Sequence, residues 1–274
     1  MSEVKGLLVM DVDSTLVQEE VIDLLGEEAG VGQEVAEITE RAMRGELDFR
    51  QALNERVATL EGLPESIFDK VYARIHFNKG AKELVDELHA RGFKVGLVSG
   101  GFHETVDRLA AEAGIDYVKA NHLEVVDGVL TGKVYGEIVT KDVKVAKLKD
   151  WAAENGLELS QTIAMGDGAN DLPMIKSAGI GIAFCAKPIV REQAPYQITE
   201  PDLYKVIEPI KGLPQRTAVA ISFIFIRKQP SPAMFTTVLS GLPILAPMAA
   251  PSPYPIVPRP PEERKVLGSL YLKY

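Results

Sequence analysis

Three apolar runs in this chain each end in a short polar motif, and that pattern restricts the fold more than any other feature. Gly6-Leu7-Leu8-Val9-Met10 runs into Asp11-Val12-Asp13-Ser14-Thr15, and Phe93 to Val98 runs into Ser99-Gly100-Gly101-Phe102. Thr162 to Met165 runs into Gly166-Asp167-Gly168-Ala169-Asn170-Asp171, and Gly179 to Phe184 reads as a final core strand. Short apolar runs bounded by polar or turn residues read as buried strands. From about Asn78 they alternate with helical stretches, Ala81 to Arg91, a second one up to Ala113, and Val143 to Asn155, each followed by glycine. Strand–helix alternation implies a parallel sheet with crossover helices. The expected fold is therefore α/β, with a doubly wound, Rossmann-like, mostly parallel core sheet. In such a sheet the carboxyl ends of the strands meet at one edge, so the three motifs are expected together.

Two segments depart from the alternation. Residues 18–78 read as helices: Asp48 is placed as an N-cap, with Phe49, Ala52, Leu53, Val57 and Leu60 following at helical spacing. Gly45 and Gly62-Leu63-Pro64 supply the breaks. Tyr117 to Ile138 carries the hairpin signal Val125-Val126-Asp127-Gly128-Val129-Leu130 and is read as an inserted β-ribbon. The expected division is a core of residues 1–15 and 79–210, a small helical cap of 16–78, and a tail of 211–274. That tail holds 11 of the 17 prolines and eight Lys/Arg against Glu262 and Glu263, which leaves residues 1–210 at −15 within a chain total of −9. Its Pro-rich end reads as extended or poorly ordered, with a non-native or read-through extension the leading reading and a membrane- or partner-binding arm the second. Ala218 to Ile226 is too short to span a membrane, and Met234 to Ala250 is broken by Gly241, Pro243 and Pro247.

The acidic balance argues against a general nucleic-acid footprint. A single cysteine, Cys185, excludes an internal disulfide and fits a reducing compartment. Glu3 and an early short strand are unlike a signal peptide, so the expectation is a cytoplasmic protein without a membrane partner. The sequence neither requires nor excludes a homodimer. Cys185 follows an apolar run and is expected as a buried structural thiol.

Each strand-end motif suits one part of phosphoryl transfer. Asp11 and Asp13 stand two apart on one strand face, where like charges are costly unless a cation and an incoming phosphate engage them. One carboxylate can then attack while the other moves a proton. Ser99 offers a hydroxyl, and Gly100 lets a backbone N–H approach phosphate. Asp167, with Asp11, supplies hard oxygen ligands for Mg²⁺. A lysine is wanted against the phosphate, and spacing leaves Lys141, Lys144 and Lys147 open. Arg56 lies on the apolar stripe of its helix, either snorkelling to solvent or lining an anion pocket. Glu20, beside Val17 and Leu24, poses the same question with opposite sign.

The Asp11-to-Thr15, Ser99-to-Phe102, Lys144 and Gly166-to-Asp171 elements together resemble the four motifs of the haloacid dehalogenase superfamily. The resemblance covers about residues 5–210 and, within the superfamily, points to members that hydrolyse O-phosphoserine. It implies that Asp11 is the nucleophile and that Asp13 acts first as acid and then as base. It implies Mg²⁺ held by Asp11, Asp167 and the backbone carbonyl of Asp13, with Asp171 close by. Ser99, Gly100, Lys144 and Asn170 would hold the phosphate. Glu20 would take the substrate ammonium and Arg56 its carboxylate, with Met43 and Phe49 closing over them. Rivals are the same chemistry on another small phosphoester, transfer to homoserine, and a non-enzymatic phospho-accepting module, against which Asp13 and the cap argue. His76, His89, His103 and His122 form no ligand spacing; His103 is expected on a helix surface and Trp151 in packing.

Overall fold

The computed structural model describes residues 3–210; the tail expectations lie outside them. A seven-stranded sheet forms the frame: β1 (Gly6–Met10), β2 (Phe93–Phe102), β3 (Tyr117–Val126), β4 (Val129–Tyr135), β5 (Thr162–Gly166), β6 (Ile180–Phe184) and β7 (Tyr196–Ile198). Their spatial order is β4-β3-β2-β1-β5-β6-β7, parallel throughout except for the β3–β4 hairpin. β1 lies centrally, and all five of its residues are buried. Alternation along the strand explains how one strand serves two cores. Leu8 and Met10 join Leu84, Leu88 and Val106 on one face, whereas Leu7 and Val9 join Leu148, Trp151 and Met174 on the other. The first face is covered by α5 (Ala81–Ala90) and α6 (His103–Ala113), the second by α7 (Lys141–Glu154) and α8 (Leu172–Ser177).

Two expectations about strands need correction. Tyr117 to Ile138 is not wholly an insert: the first part of β3 pairs in parallel with β2 as a core strand, and only its continuation turns back as the ribbon. The sheet also does not end at β6, because the short strand β7 pairs Tyr196 with Ile182. Three residues carry too little periodicity to be read as a strand.

Between β1 and α5 stand four helices: α1 (Val21–Ala29), α2 (Gly32–Met43), α3 (Phe49–Ala58) and α4 (Ile67–Tyr72). Asp48 caps α3 as expected, accepting from the Gln51 N–H while the Gln51 side chain returns to the Asp48 N–H. Their apolar faces share a cluster with Phe102, Leu123, Leu130 and Ile138 of the sheet side. Both chain segments entering and leaving this helical unit are pinned together. Val17 pairs with Phe77, and the buried Asn78 side chain donates to Thr15 O at 2.8 Å and Val17 O at 3.2 Å. Trp151 packs as expected, stacked on Tyr117 at 5.2 Å. His103 is not on an open surface: it stacks on His122 at 4.1 Å and accepts from the Ala120 N–H at 3.1 Å. Cys185 is exposed, because β6 ends at Phe184 and the chain turns there through a positive φ of 44°.

Removing the Asn78 side chain strands two buried carbonyls, which costs about 1–3 kcal/mol. Asn78→Ala should lose that much stability by denaturant unfolding. An unchanged midpoint would show that water replaces the pin.

Candidate active site

The carboxyl ends of β1, β2 and β5 converge, as the strand pattern requires. After β1 the chain turns tightly over Val12–Leu16, closed by the Val17 N–H on Val12 O at 3.0 Å. Ser14 takes a left-handed φ of 55°, and its hydroxyl donates to Glu20 at 2.8 Å. This turn holds the Asp11 carboxylate against the Val12 N–H at 2.8 Å and Asp13 against the Val21 N–H at 3.3 Å. At the end of β2 the Gly101 N–H donates to Ser99 Oγ at 2.8 Å. A side chain at Gly101 would be tight, since a Cβ there would stand 3.1 Å from both Asp13 Oδ2 and Ser99 Oγ. Gly166, ending β5, is constrained in the same way by the Asp171 carboxyl packed on it.

Lys144 closes the site from below. It is 1% exposed, and its ammonium reaches Asp11 at 2.8 Å and Asp171 at 2.6 Å. The other Asp171 oxygen accepts from the Gly168 N–H at 3.0 Å. Asp11, Asp167 and Asp171 each bring an oxygen within 4.8 Å of the others. An all-carboxylate donor set of this kind suits a hard divalent cation. Lys141 is exposed and Lys147 pairs with Asp150, so the structure selects Lys144 from the three lysines.

A cavity of about 120 Å³ opens over these groups, lined among others by Asp11, Asp13, Glu20, Phe49, Arg56 and Gly100. Asp167 and Asn170 also line it. Glu20 arrives as the N-cap residue of α1. Phe49 and Arg56, two turns apart on α3, both face the cavity, and the Phe49 ring stands over Gly100. Arg56 uses Nε on Ala52 O at 3.3 Å and leaves its terminal nitrogens without a hydrogen-bond partner among the described residues. Met43 is not brought to the cavity; it ends α2 and is 77% exposed. Lys187 was not anticipated: it lines the cavity, with its ammonium 3.9 Å from Asp167 and its N–H on Asp167 O at 3.0 Å. No periodic pattern surrounds it; the one available signal was its place just after a core strand. A larger cleft of about 430 Å³ lies against β7, away from this convergence.

Carboxylates outnumber cations here, and their proton affinities show it. Burial, reinforced by Glu20 and Asp11, pushes the Asp13 carboxyl well above the usual range. Burial likewise raises Glu20, against the Ser14 hydroxyl that favours its charged form. Asp167 and Asp171 are raised by burial and by the charge of Asp11. Burial disfavours the Lys144 charge, but Asp11 and Asp171 outweigh that and hold it above the ordinary lysine value. Burial also lowers Arg56, against Asp23, Glu20 and Asp13. A raised carboxyl two residues from an ion-paired one is an arrangement able to divide the work of an acid from that of a nucleophile.

Fold and site together describe a hydrolase of the doubly wound type with an aspartate pair at its catalytic edge. The haloacid dehalogenase-like hydrolase family pattern matches residues 8–176, and the chain belongs to that family. A protein of Streptococcus thermophilus named phosphoserine phosphatase is 95% identical over 208 residues, covering 76% of this chain and 97% of that protein. Its namesake from Lactococcus lactis is 61% identical, with the same shares covered. A solved structure described as a phospho-aspartyl intermediate analogue of phosphoserine phosphatase superposes with a TM-score of 0.71 at 45% identity, covering 76% of this chain and 99% of its own. A substrate-bound phosphoserine phosphatase complex gives 0.71 at 44% identity, with the same coverage.

Taking one partner from a buried ion pair costs about 3–5 kcal/mol. Lys144→Met should lower thermal stability by that order, and millimolar divalent cation should recover part of it by binding the folded state. A variant melting with the parent would remove Lys144 as the site's counter-charge.

Proposed function

We propose that this enzyme hydrolyses O-phosphoserine to serine and inorganic phosphate through a phosphorylated Asp11. The observation that carries the reading is one cavity lined by both an aspartate pair, Asp11 and Asp13, and the oppositely charged Glu20 and Arg56. The first suits phosphoryl transfer; the second matches the ammonium and carboxylate of an amino acid. The relatives' names agree with that substrate.

Asp11 attacks phosphorus, and the bond from phosphorus to the serine oxygen breaks. Asp13, whose raised proton affinity keeps it a competent acid, gives its proton to that oxygen. A water then yields a proton to Asp13 and attacks phosphorus, breaking the bond to Asp11 and releasing phosphate. Ser99, the Gly100 N–H, Lys144 and Asn170 hold the transferring group. Mg²⁺, held by Asp11, the Asp13 backbone carbonyl and Asp167 with Asp171 behind, would neutralise phosphate charge when bound. Residues 16–78 act as a cap over the core of 1–15 and 79–210, excluding water until serine has left. Phe49 covers the turn at Gly100, and Met43 reaches substrate only if α2 moves inward. The single cysteine is compatible with a reducing, cytoplasmic setting and supports that part of the reading.

Asp11→Asn is nearly isosteric and should abolish turnover while leaving the melting temperature near that of the parent. Asp13→Asn should still label Asp11 in a single turnover but hydrolyse it slowly. Chelation should silence the parent, with Mg²⁺ restoring activity far better than Ca²⁺, which tolerates looser coordination. Wild-type rates in purified Asp11→Asn would end the mechanism.

An unpaired end of a desolvated charge pair typically costs about 2–5 kcal/mol. Arg56→Ala should therefore depress kcat/KM for O-phosphoserine strongly and leave phosphoethanolamine, which has no carboxylate, little changed. Glu20→Ala should spare a substrate lacking the ammonium. Equal losses on every substrate would make both residues supports of the helical unit rather than a clamp.

A further inference from the structure

We propose that Asn121 is a positioning residue, fixing the phosphate-holding turn at Ser99–Gly101 and the start of the helix that carries Lys144. The proposal rests on the phosphate role given above to Ser99 and Gly100. β2 and β3 run in register through Val98 and Lys119, and the next matched pair is Phe102 with Asn121. β2 thus advances four residues where β3 advances two, and Ser99-Gly100-Gly101 bulges from the ladder. A bulge leaves backbone groups without ladder partners, and buried ones must find others. Asn121, with no exposure, supplies one: its Nδ2 donates to Gly100 O at 2.8 Å.

The peptide held in this way is central to the site. Its other end, the Gly101 N–H, donates to Ser99 Oγ at 2.8 Å, so the serine hydroxyl proton remains free to donate to a phosphate oxygen. The Cα of Gly101 lies so close to Asp13 that a Cβ would stand 3.1 Å from Oδ2. On its other side Asn121 Oδ1 accepts from the Val139 N–H at 2.8 Å. Val139 precedes Thr140, the N-cap of α7, whose carbonyl accepts from the Lys144 N–H at 3.0 Å. One buried amide therefore ties the Ser99–Gly101 turn to the start of the helix that carries Lys144 while standing outside the cavity lining itself.

A purely structural Asn121 would affect stability and nothing else, so the test reads turnover and product binding. Asn121→Asp keeps the size and the acceptor for Val139 but opposes a second acceptor to Gly100 O; Asn121→Ala removes both bonds. In the full-length enzyme, misplacing the turn by about 1 Å should cost kcat about tenfold to hundredfold in both variants. Inhibition by inorganic phosphate should weaken about tenfold, while inhibition by serine and KM stay within about twofold. Should Asn121→Asp not fold, Asn121→Ser takes the same measurements with Asn121→Ala. Folded variants with parental kcat and phosphate inhibition would overturn the proposal, whatever their melting temperature. Equal weakening of serine and phosphate inhibition would overturn it too, by showing general collapse of the cavity. A parent inactive on O-phosphoserine, or insensitive to phosphate, would instead strike the proposed function.

Discussion

The Lys144 ammonium between Asp11 and Asp171 is the contact on which the catalytic edge depends. Three elements that share no local sequence, the end of β1, the loop after β5 and the first turns of α7, are drawn to one buried point. A buried cation is costly unless its charge is matched and its donors are used. Here two carboxylates match it, and Asp171 is in turn held by the Gly168 N–H. The arrangement over-supplies negative charge once Asp13, Asp167 and Glu20 are counted, an excess that a bound divalent cation would offset. Fixed charges of this kind need no reorganisation when charge develops on a substrate, which is where electrostatic catalysis gains most.

The glycines of the edge follow from that density. Gly101 must admit the Asp13 carboxylate and Gly166 that of Asp171, so the Gly-rich look of two motifs reflects crowding as much as turn geometry. The helical wall of the cavity is built on a different principle. α3 places Phe49 and Arg56 on one helical face by periodicity alone, and the Asp48 cap fixes where that helix starts.

What the chain made legible was local. Each of β1, β2 and β5 could be read because its buried run stops at a polar motif, and parallel packing then required the motifs to meet. Lys144 could not be chosen by spacing from Lys141 and Lys147, although a usable signal existed: it shares a buried face with Leu148 and Trp151, four and seven residues on. Cys185 misled because an apolar run was extended one residue past the strand end. β3 misled because a hairpin signal at its tip masked the parallel pairing of its first half. Asn121 left no trace and Lys187 only its place just after a core strand, since both act through partners distant in sequence.

The β3–β4 hairpin also links the helical unit to the Ser99–Gly101 turn. Near the middle of β3, Asn121 holds the Gly100 carbonyl. At its far end the hairpin meets the loop between α3 and α4, where Gly62 donates to Leu130 O at 2.9 Å, Leu130 to Leu63 O at 2.8 Å and Glu65 to Gly128 O at 2.8 Å. The helical unit is thus fastened to the core at its root by Asn78 and at its rim by the hairpin whose first strand carries Asn121. Any movement of the helices must either break these backbone bonds or carry the hairpin along. Closely packed elements transmit such displacement rather than absorb it. The position of α3 over the cavity and the position of the Ser99–Gly101 turn are therefore constrained by the same β3–β4 hairpin.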